Sequence, residues 1–147
     1  MIFRSDLMRF FLLFLLFYCK SAFAYSELYL KFHMGLGMNG DFFVGGTLEN
    51  KGDQDVHQGY IVVTPLSSDC YPKSPQLWPF GKIAANSKFE FKVPIAGKLE
   101  GYKFDMVYAM DSFGNKITVI DETEPILNSK QTDYIAKCQL KRQSKVS

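Results

Sequence analysis

The chain has 147 residues with 17 Lys and Arg against 15 Asp and Glu, and its net charge of +2 resides in its first two dozen positions. Arg4, Arg9 and Lys20 against Asp6 account for all of it, so the remainder is formally neutral. The basic isoelectric point therefore does not mark a nucleic-acid or membrane-surface partner, and the absence of any solenoid-length repeat leaves a single domain with one core.

Arg4 and Arg9 flank or precede an uninterrupted apolar run, Phe10 to Tyr18, which is followed by Ala22-Phe23-Ala24. A basic start, a short apolar segment and a small-x-small triplet are the order of a secretory signal peptide. The run is too short for a hydrocarbon core that needs about 20 apolar residues. Cleavage after Ala24 is expected, with residues 25–147 as the exported domain and no stable membrane insertion once the leader is gone; an uncleaved anchor is the alternative. Tyr18 stands before Cys19 where a lipid-attachment sequence requires a small residue, so lipidation is not expected.

Beyond Tyr25 the pattern alternates by twos. Leu28, Leu30, Phe32 and Met34 share one face of a first strand, with Glu27, Tyr29, Lys31 and His33 opposite. The glycines of Gly35-Leu36-Gly37-Met38-Asn39-Gly40 are expected to break that run. A second strand, Asp41 to Asn50, turns Phe42, Val44, Gly46 and Leu48 inward, and Asn50-Lys51-Gly52-Asp53 has the chemistry of a turn. A third strand spans about Val56 to Thr64. From Pro65 to Pro79 the prolines at 65, 72, 75 and 79 bar a central strand, so a surface crossing holding Cys70 and Trp78 is expected.

A short strand near Phe80 to Ile83 precedes a turn at Ala84 to Ser87. Phe89, Phe91 and Val93 then alternate inward. After a turn from Ala96 to Gly101, Tyr102, Phe104, Met106 and Tyr108 share a face with Lys103 and Asp105 outside. Asp111-Ser112-Phe113-Gly114-Asn115 is the clearest hairpin turn, closed by a last strand from Lys116 to Asp121. No convincing amphipathic helix occurs before residue 128. About seven short strands rich in aromatic and β-branched residues predict an all-β, two-sheet sandwich of immunoglobulin or fibronectin type III kind, with a closed barrel as its rival.

Cys70 and Cys138 remain as an even pair after loss of the leader. In an oxidising compartment they are expected to form a disulfide, and the lack of a C-x-x-C spacing argues against a thiol oxidoreductase.

No residue set announces catalysis, and neither a cofactor nor a metal is expected. His57 near Asp53 or Asp55 reads as a solvated strand edge, since zinc needs three or four clustered ligands. Ser67-Ser68-Asp69 lacks the glycines of a nucleophile elbow. Gly35 to Gly40 lacks the Lys-Ser/Thr and helix of a phosphate loop. Asp121, Glu122 and Glu124 offer calcium too few oxygens. Tyr71 beside Cys70 and Trp78 in the Leu77-Trp78-Pro79 bend are the candidate contact residues, because such aromatics are enriched at interaction hot spots; capping the end of the sandwich is their alternative role.

Leu99-Glu100-Gly101-Tyr102-Lys103-Phe104-Asp105-Met106-Val107-Tyr108-Ala109 resembles the sixth strand of fibronectin type III domains, in which a tyrosine hydroxyl fastens the corner. With Gly46-Thr47-Leu48-Glu49-Asn50, the leader, the size and the two separated cysteines, the chain resembles the interleukin receptor mimic protein A family of Gram-negative pathogens. The resemblance carries no specific binding residues across. It implies a secreted virulence factor with a cytokine-receptor-like fold that binds host cytokines. The expectation is thus an exported, non-catalytic protein binder that does not bind nucleic acid. A pilus or envelope-assembly role, or a periplasmic enzyme inhibitor or immunity protein, is the alternative. A homodimer formed by segment exchange is also expected, through the Gly35–Gly40 linker or the tail beyond Asp121.

Overall fold

The computed structural model describes residues 25–145, so the leader lies outside the described residues. Seven strands form two sheets, as the alternation predicts. β1 (Glu27–Met38), β2 (Asp41–Asn50), β5 (Ser87–Ile95) and β7 (Thr118–Asp121) make a four-stranded sheet in the order β5-β2-β1-β7. β3 (Gln58–Leu66), β4 (Gln76–Phe80) and β6 (Gly101–Met110) make a three-stranded sheet in the order β4-β3-β6, and α1 (Glu124–Gln143) follows.

The core lies between the two sheets. Leu28, Leu30, Val44, Leu48, Phe91 and Val93 from the larger sheet meet Ile61, Val63, Phe80 and Ala109 from the smaller one. Val56, Ile83 and Ile117 close its ends. Each of the large side chains contributes about 1.5–3 kcal/mol by leaving water.

Two bulges correct the expected faces. In β1 the register passes from Leu30↔Leu48 to Phe32↔Thr47, leaving Lys31 as an extra residue. Parity therefore flips: Phe32 and Met34 are 49% and 41% exposed, while His33 stacks inside on Phe104. In β6 the pairing passes from Val62↔Met106 to Val63↔Phe104, and Asp105 is the extra residue. Tyr102 and Phe104 pack against the core as expected, but Met106 is exposed and Tyr108 stacks on Tyr60 across the pair Tyr60↔Tyr108. A bulge inserts one residue into a strand whose side chains alternate with period two, so every residue beyond it changes sides.

The expected break at Gly35 to Gly40 is also corrected. β1 continues through Met38, paired with β2 as far as Met38↔Asp41. Only Asn39 and Gly40 form the turn, with φ of 54° and 87°. Asn-Gly accepts two left-handed residues at little cost, and such a turn matches the twist of the strands it joins. The glycines at 35 and 37 are strand residues with Tyr102 and Phe42 lying close over them.

The proline-rich crossing holds a strand after all, at the edge of its sheet. β4 pairs only with β3 through Gly59↔Phe80 to Val63↔Gln76, so Pro79 faces no second neighbour. An edge strand is where proline's missing N–H is tolerated. The strand ends at Phe80, and Ile83 makes only an isolated bridge to Val56. β3 likewise runs past Thr64 to Leu66, with Pro65 opposite Tyr102.

The hairpin expected from Asp111 to Asn115 forms but does not continue. The Ile117 N–H donates to the Ala109 carbonyl and Lys116 bridges Met110; the chain then leaves for the other sheet, where β7 runs parallel to β1. The helix starts at Glu124, four residues before the expected limit, with proline in its first turn.

A buried asparagine holds the loops at one end. Asn50 is fully buried; its amide donates to the carbonyls of Gln54 (2.8 Å) and Ala84 (3.2 Å), and its Oδ1 accepts from the Gly52 N–H (3.0 Å). Replacing it with alanine orphans the buried Gly52 N–H, worth about 1–3 kcal/mol, and removes a donor from two partly buried carbonyls. Asn50→Ala is expected to cost about 2 kcal/mol, read as a lower urea midpoint with an unchanged m-value.

Candidate functional site

The two expected contact residues occupy different environments. Tyr71 is 55% exposed at the corner closed by the Cys70–Cys138 disulfide, whose Cα atoms lie 5.8 Å apart. The Arg142 guanidinium of α1 sits 4.3 Å from the centre of the Tyr71 ring, and its Nε donates to the Asp69 carbonyl at 3.1 Å. Lys145 reaches both oxygens of the Asp69 carboxylate at 2.7 Å, which holds that carboxyl below its usual range. Arg142 and Lys145 thus both have a partner in this loop. Trp78, by contrast, packs against the core and lies 6.4 Å from Phe89, ring to ring. The two aromatics do not stack on one another.

His33, read from the sequence as an outward residue, lies in a polar chain between the sheets. The Thr123 hydroxyl donates to Asp121 Oδ1 at 2.6 Å, and the Thr123 backbone N–H donates to the same oxygen at 2.7 Å. Its single hydrogen being used, the hydroxyl accepts from His33 Nε2 at 3.2 Å. That leaves His33 Nδ1 to accept from the Tyr102 hydroxyl at 2.8 Å. The tyrosine expected to fasten its own corner therefore reaches across to β1. Burial pushes the Tyr102 hydroxyl up to about 12 and lowers the His33 imidazole, against a smaller upward pull from Asp121.

The chain resembles a proton relay in outline, but its members satisfy one another. Thr123 is buried, and His33 has both ring nitrogens paired within this network. What the arrangement does is join β1, β6 and the start of α1. It also predicts a pH response. A folded imidazole titrating below its unfolded value of 6.5 favours the neutral form, so the unfolded chain takes up the proton first. Stability should be full above that value, fall as pH drops through it, and level off below the folded value. Urea unfolding between pH 7.5 and 5.5 reads this out, and His33→Phe should flatten the slope.

At one end of the sandwich a polar cleft of about 680 Å³ is lined by Tyr25, Asp53, Asp55, His57, Lys82 and Asp111, among others. It gathers the histidine and carboxylates that the sequence placed together. Asp55 is occupied by Lys82 at 2.6 Å and by the Ala85 N–H, which hold its carboxyl below the usual range. Asp111 accepts from the N–H groups of Phe113 and Asn115 within its own turn. Among the described residues no three His, Cys, Asp or Glu side chains are grouped to hold a metal ion. Asp121 and Glu122 are likewise committed, to Thr123 and to Lys31 and Lys51 respectively.

The feature that sequence reasoning missed is exposed apolar surface. Beyond its bulge, β1 turns Phe32, Met34, Leu36 and Met38 to solvent. On α1, Leu127 and Tyr134 lie seven residues apart on one line, and Ile126, Ile135 and Leu140 stand on other sides of the helix. All five are exposed, and Cys138 is the only buried residue of the helix. No family model, no curated protein and no solved structure matches this chain.

Proposed function

We propose that the chain is an exported, non-catalytic protein-binding module whose contact surfaces are the outer face of β1 and the exposed apolar side chains of α1. The observation that carries the reading is the exposure of nine large apolar side chains on these two elements. Soluble monomers rarely leave such patches uncovered, and interface centres are built from them. The disulfide is compatible with an oxidising destination. Resemblance to the interleukin receptor mimic proteins makes host cytokines the first partners to test and a role in virulence the setting.

The test immobilises the oxidised domain from Tyr25 and challenges it with a panel of host cytokines and with bacterial envelope extract. Two surface variants run in parallel, Phe32→Ser/Leu36→Ser and Leu127→Ser/Tyr134→Ser. The reading expects a cytokine that is retained by the native surface and lost with one variant while the fold persists. It is abandoned if no retained protein depends on either surface.

A specific observation favours the envelope-assembly alternative. Because β7 has moved to the other sheet, β6 ends the three-stranded sheet with no further strand among the described residues. A free edge accepts an added strand from another chain. Recovery of the protein only in assembled surface fibres would select this alternative. A second copy is also a proposed partner. Gly35–Gly40 is part of a continuous β1–β2 hairpin rather than a linker, and exchange through α1 would have to exchange the Cys70–Cys138 disulfide with it. Light scattering at micromolar concentration is expected to give the mass of two chains; a single-chain mass that persists on concentration removes the dimer.

A further inference from the structure

We infer that the loop from Asn50 to Asp55 is a built receptor for the amino group that leader removal creates at Tyr25. The inference rests on the proposed export of the chain, and its geometry is independent of that proposal. The Tyr25 nitrogen lies 2.8 Å from Asp53 Oδ1. The Tyr25 carbonyl accepts from the backbone N–H groups of Asp53 (3.0 Å) and Gln54 (3.3 Å). One residue on, the Ser26 hydroxyl donates to the Gln54 carbonyl at 3.3 Å, and the Lys51 N–H donates to the Glu27 carbonyl at 3.0 Å. The first residues of the exported domain are therefore held by consecutive positions of one loop.

The loop is shaped before the terminus arrives. Asn50, buried beneath it, holds the Gly52 N–H and the Gln54 carbonyl from inside. At Gly52 a side chain would strike the Tyr25 carbonyl and the backbone of Ser26 and Glu27, so this position keeps the seat open. The neighbouring charges are already paired or turned inward: Lys82 with Asp55, and Asp111 within its own hairpin turn. Asp53 is the carboxylate that meets the Tyr25 nitrogen.

Processing changes what that nitrogen is. Before cleavage it is a neutral amide donating one hydrogen bond. An endopeptidase that cuts after small residues breaks the C–N bond between Ala24 and Tyr25. Water supplies hydroxyl to the Ala24 acyl carbon and hydrogen to the nitrogen, and the released amine takes a further proton from solvent. The same 2.8 Å contact then joins an ammonium to a carboxylate. Before cleavage only the acceptor of this bond carries charge, and after cleavage both partners do. Removal of the leader thereby turns the hydrogen bond between the start of β1 and the β2–β3 loop into an ion pair.

The experiment uses the oxidised domain released at Tyr25 by a protease that leaves no extra residue, with Asp53 intact and as Asp53→Asn. Asp53 is exposed, so the variant should fold. The α-amino group is titrated by NMR, and each protein is unfolded in urea with its terminus free and acetylated. In the native sequence the amine should titrate above the ordinary α-amino range. Acetylation should lower the unfolding midpoint and reduce the folding constant by about two- to fivefold. Both effects should vanish in Asp53→Asn. Equal titration in the two proteins, or an equal cost of acetylation, overturns the ion pair while leaving export untouched. Mass measurement of the terminus on protein recovered from the producing cell tests the other half. A mature chain starting elsewhere overturns the cleavage site and the receptor with it.

Discussion

Gly46→Val is expected to destabilise the sandwich by about 3 kcal/mol or more, although valine ordinarily improves a strand. Gly46 is the middle of a row that crosses three strands, with His33 opposite it in β1 and Phe91 opposite it in β5. Those two side chains converge with Phe104, which stacks on His33 at 4.5 Å and lies 6.0 Å from Phe91. The space above Gly46 is already filled: a Cβ there would overlap the Phe91 ring and the Phe32 carbonyl. The carbonyl belongs to the neighbouring strand and cannot swing away as a flexible side chain would. Equilibrium urea unfolding of Gly46→Ala and Gly46→Val should show both destabilised, the second more. Pairing Gly46→Ala with Phe91→Leu should recover part of the loss, because the smaller side chain vacates the ring's volume. A Gly46→Ala protein within about 0.5 kcal/mol of the native one would refute this account of the core.

Loss of the disulfide is the other large effect. Its two cysteines lie 68 residues apart, and closing such a loop restricts the unfolded chain by roughly 4 kcal/mol in the chain-entropy model. The structure adds a spatial prediction. Since Cys138 is the only buried residue of α1, the helix is held at its far end by the disulfide, Arg142 and Lys145. At its near end it is held by Thr123, through Asp121 and His33. In Cys70→Ser/Cys138→Ser the sandwich should remain folded under native conditions while α1 becomes free. Limited proteolysis should cut within α1 and leave a resistant fragment ending near Asp121. A helix that stays protected without the disulfide would mean that its docking rests on other contacts.

The sites differ in how readable they were. The pairing of Cys70 with Cys138 needed only an even count and an oxidising destination, and the bond is present. The inward row of β2, including Gly46, followed from simple alternation. His33 was misplaced because one extra residue, Lys31, precedes it, and nothing about a lysine marks a bulge. Met106 and Tyr108 were misplaced for the same reason after Asp105. The outward apolar row of β1 is hidden by the same bulge, since plain alternation puts Phe32 and Met34 on the face of Leu28 and Leu30. Tyr102 carried a signal in its resemblance to the fibronectin strand, but its hydrogen-bond partner lies 69 residues away.

Strand number, turn positions and the two-sheet class were determined locally. They depend on side-chain alternation and on residues such as Asn39 and Gly40 that accept a particular backbone conformation. Which edge β7 joined was decided only in three dimensions. The hairpin at Asp111 to Asn115 points it toward β6, yet Ile117 turns into the core and the strand pairs in parallel with β1. Parallel pairing between segments so far apart leaves no mark at short range, because its hydrogen bonds join backbones and its register follows from packing. The same holds for the seat of Tyr25. Asp53 and Gly52 read alone as an ordinary turn, and only the folded sandwich brings the start of β1 against them.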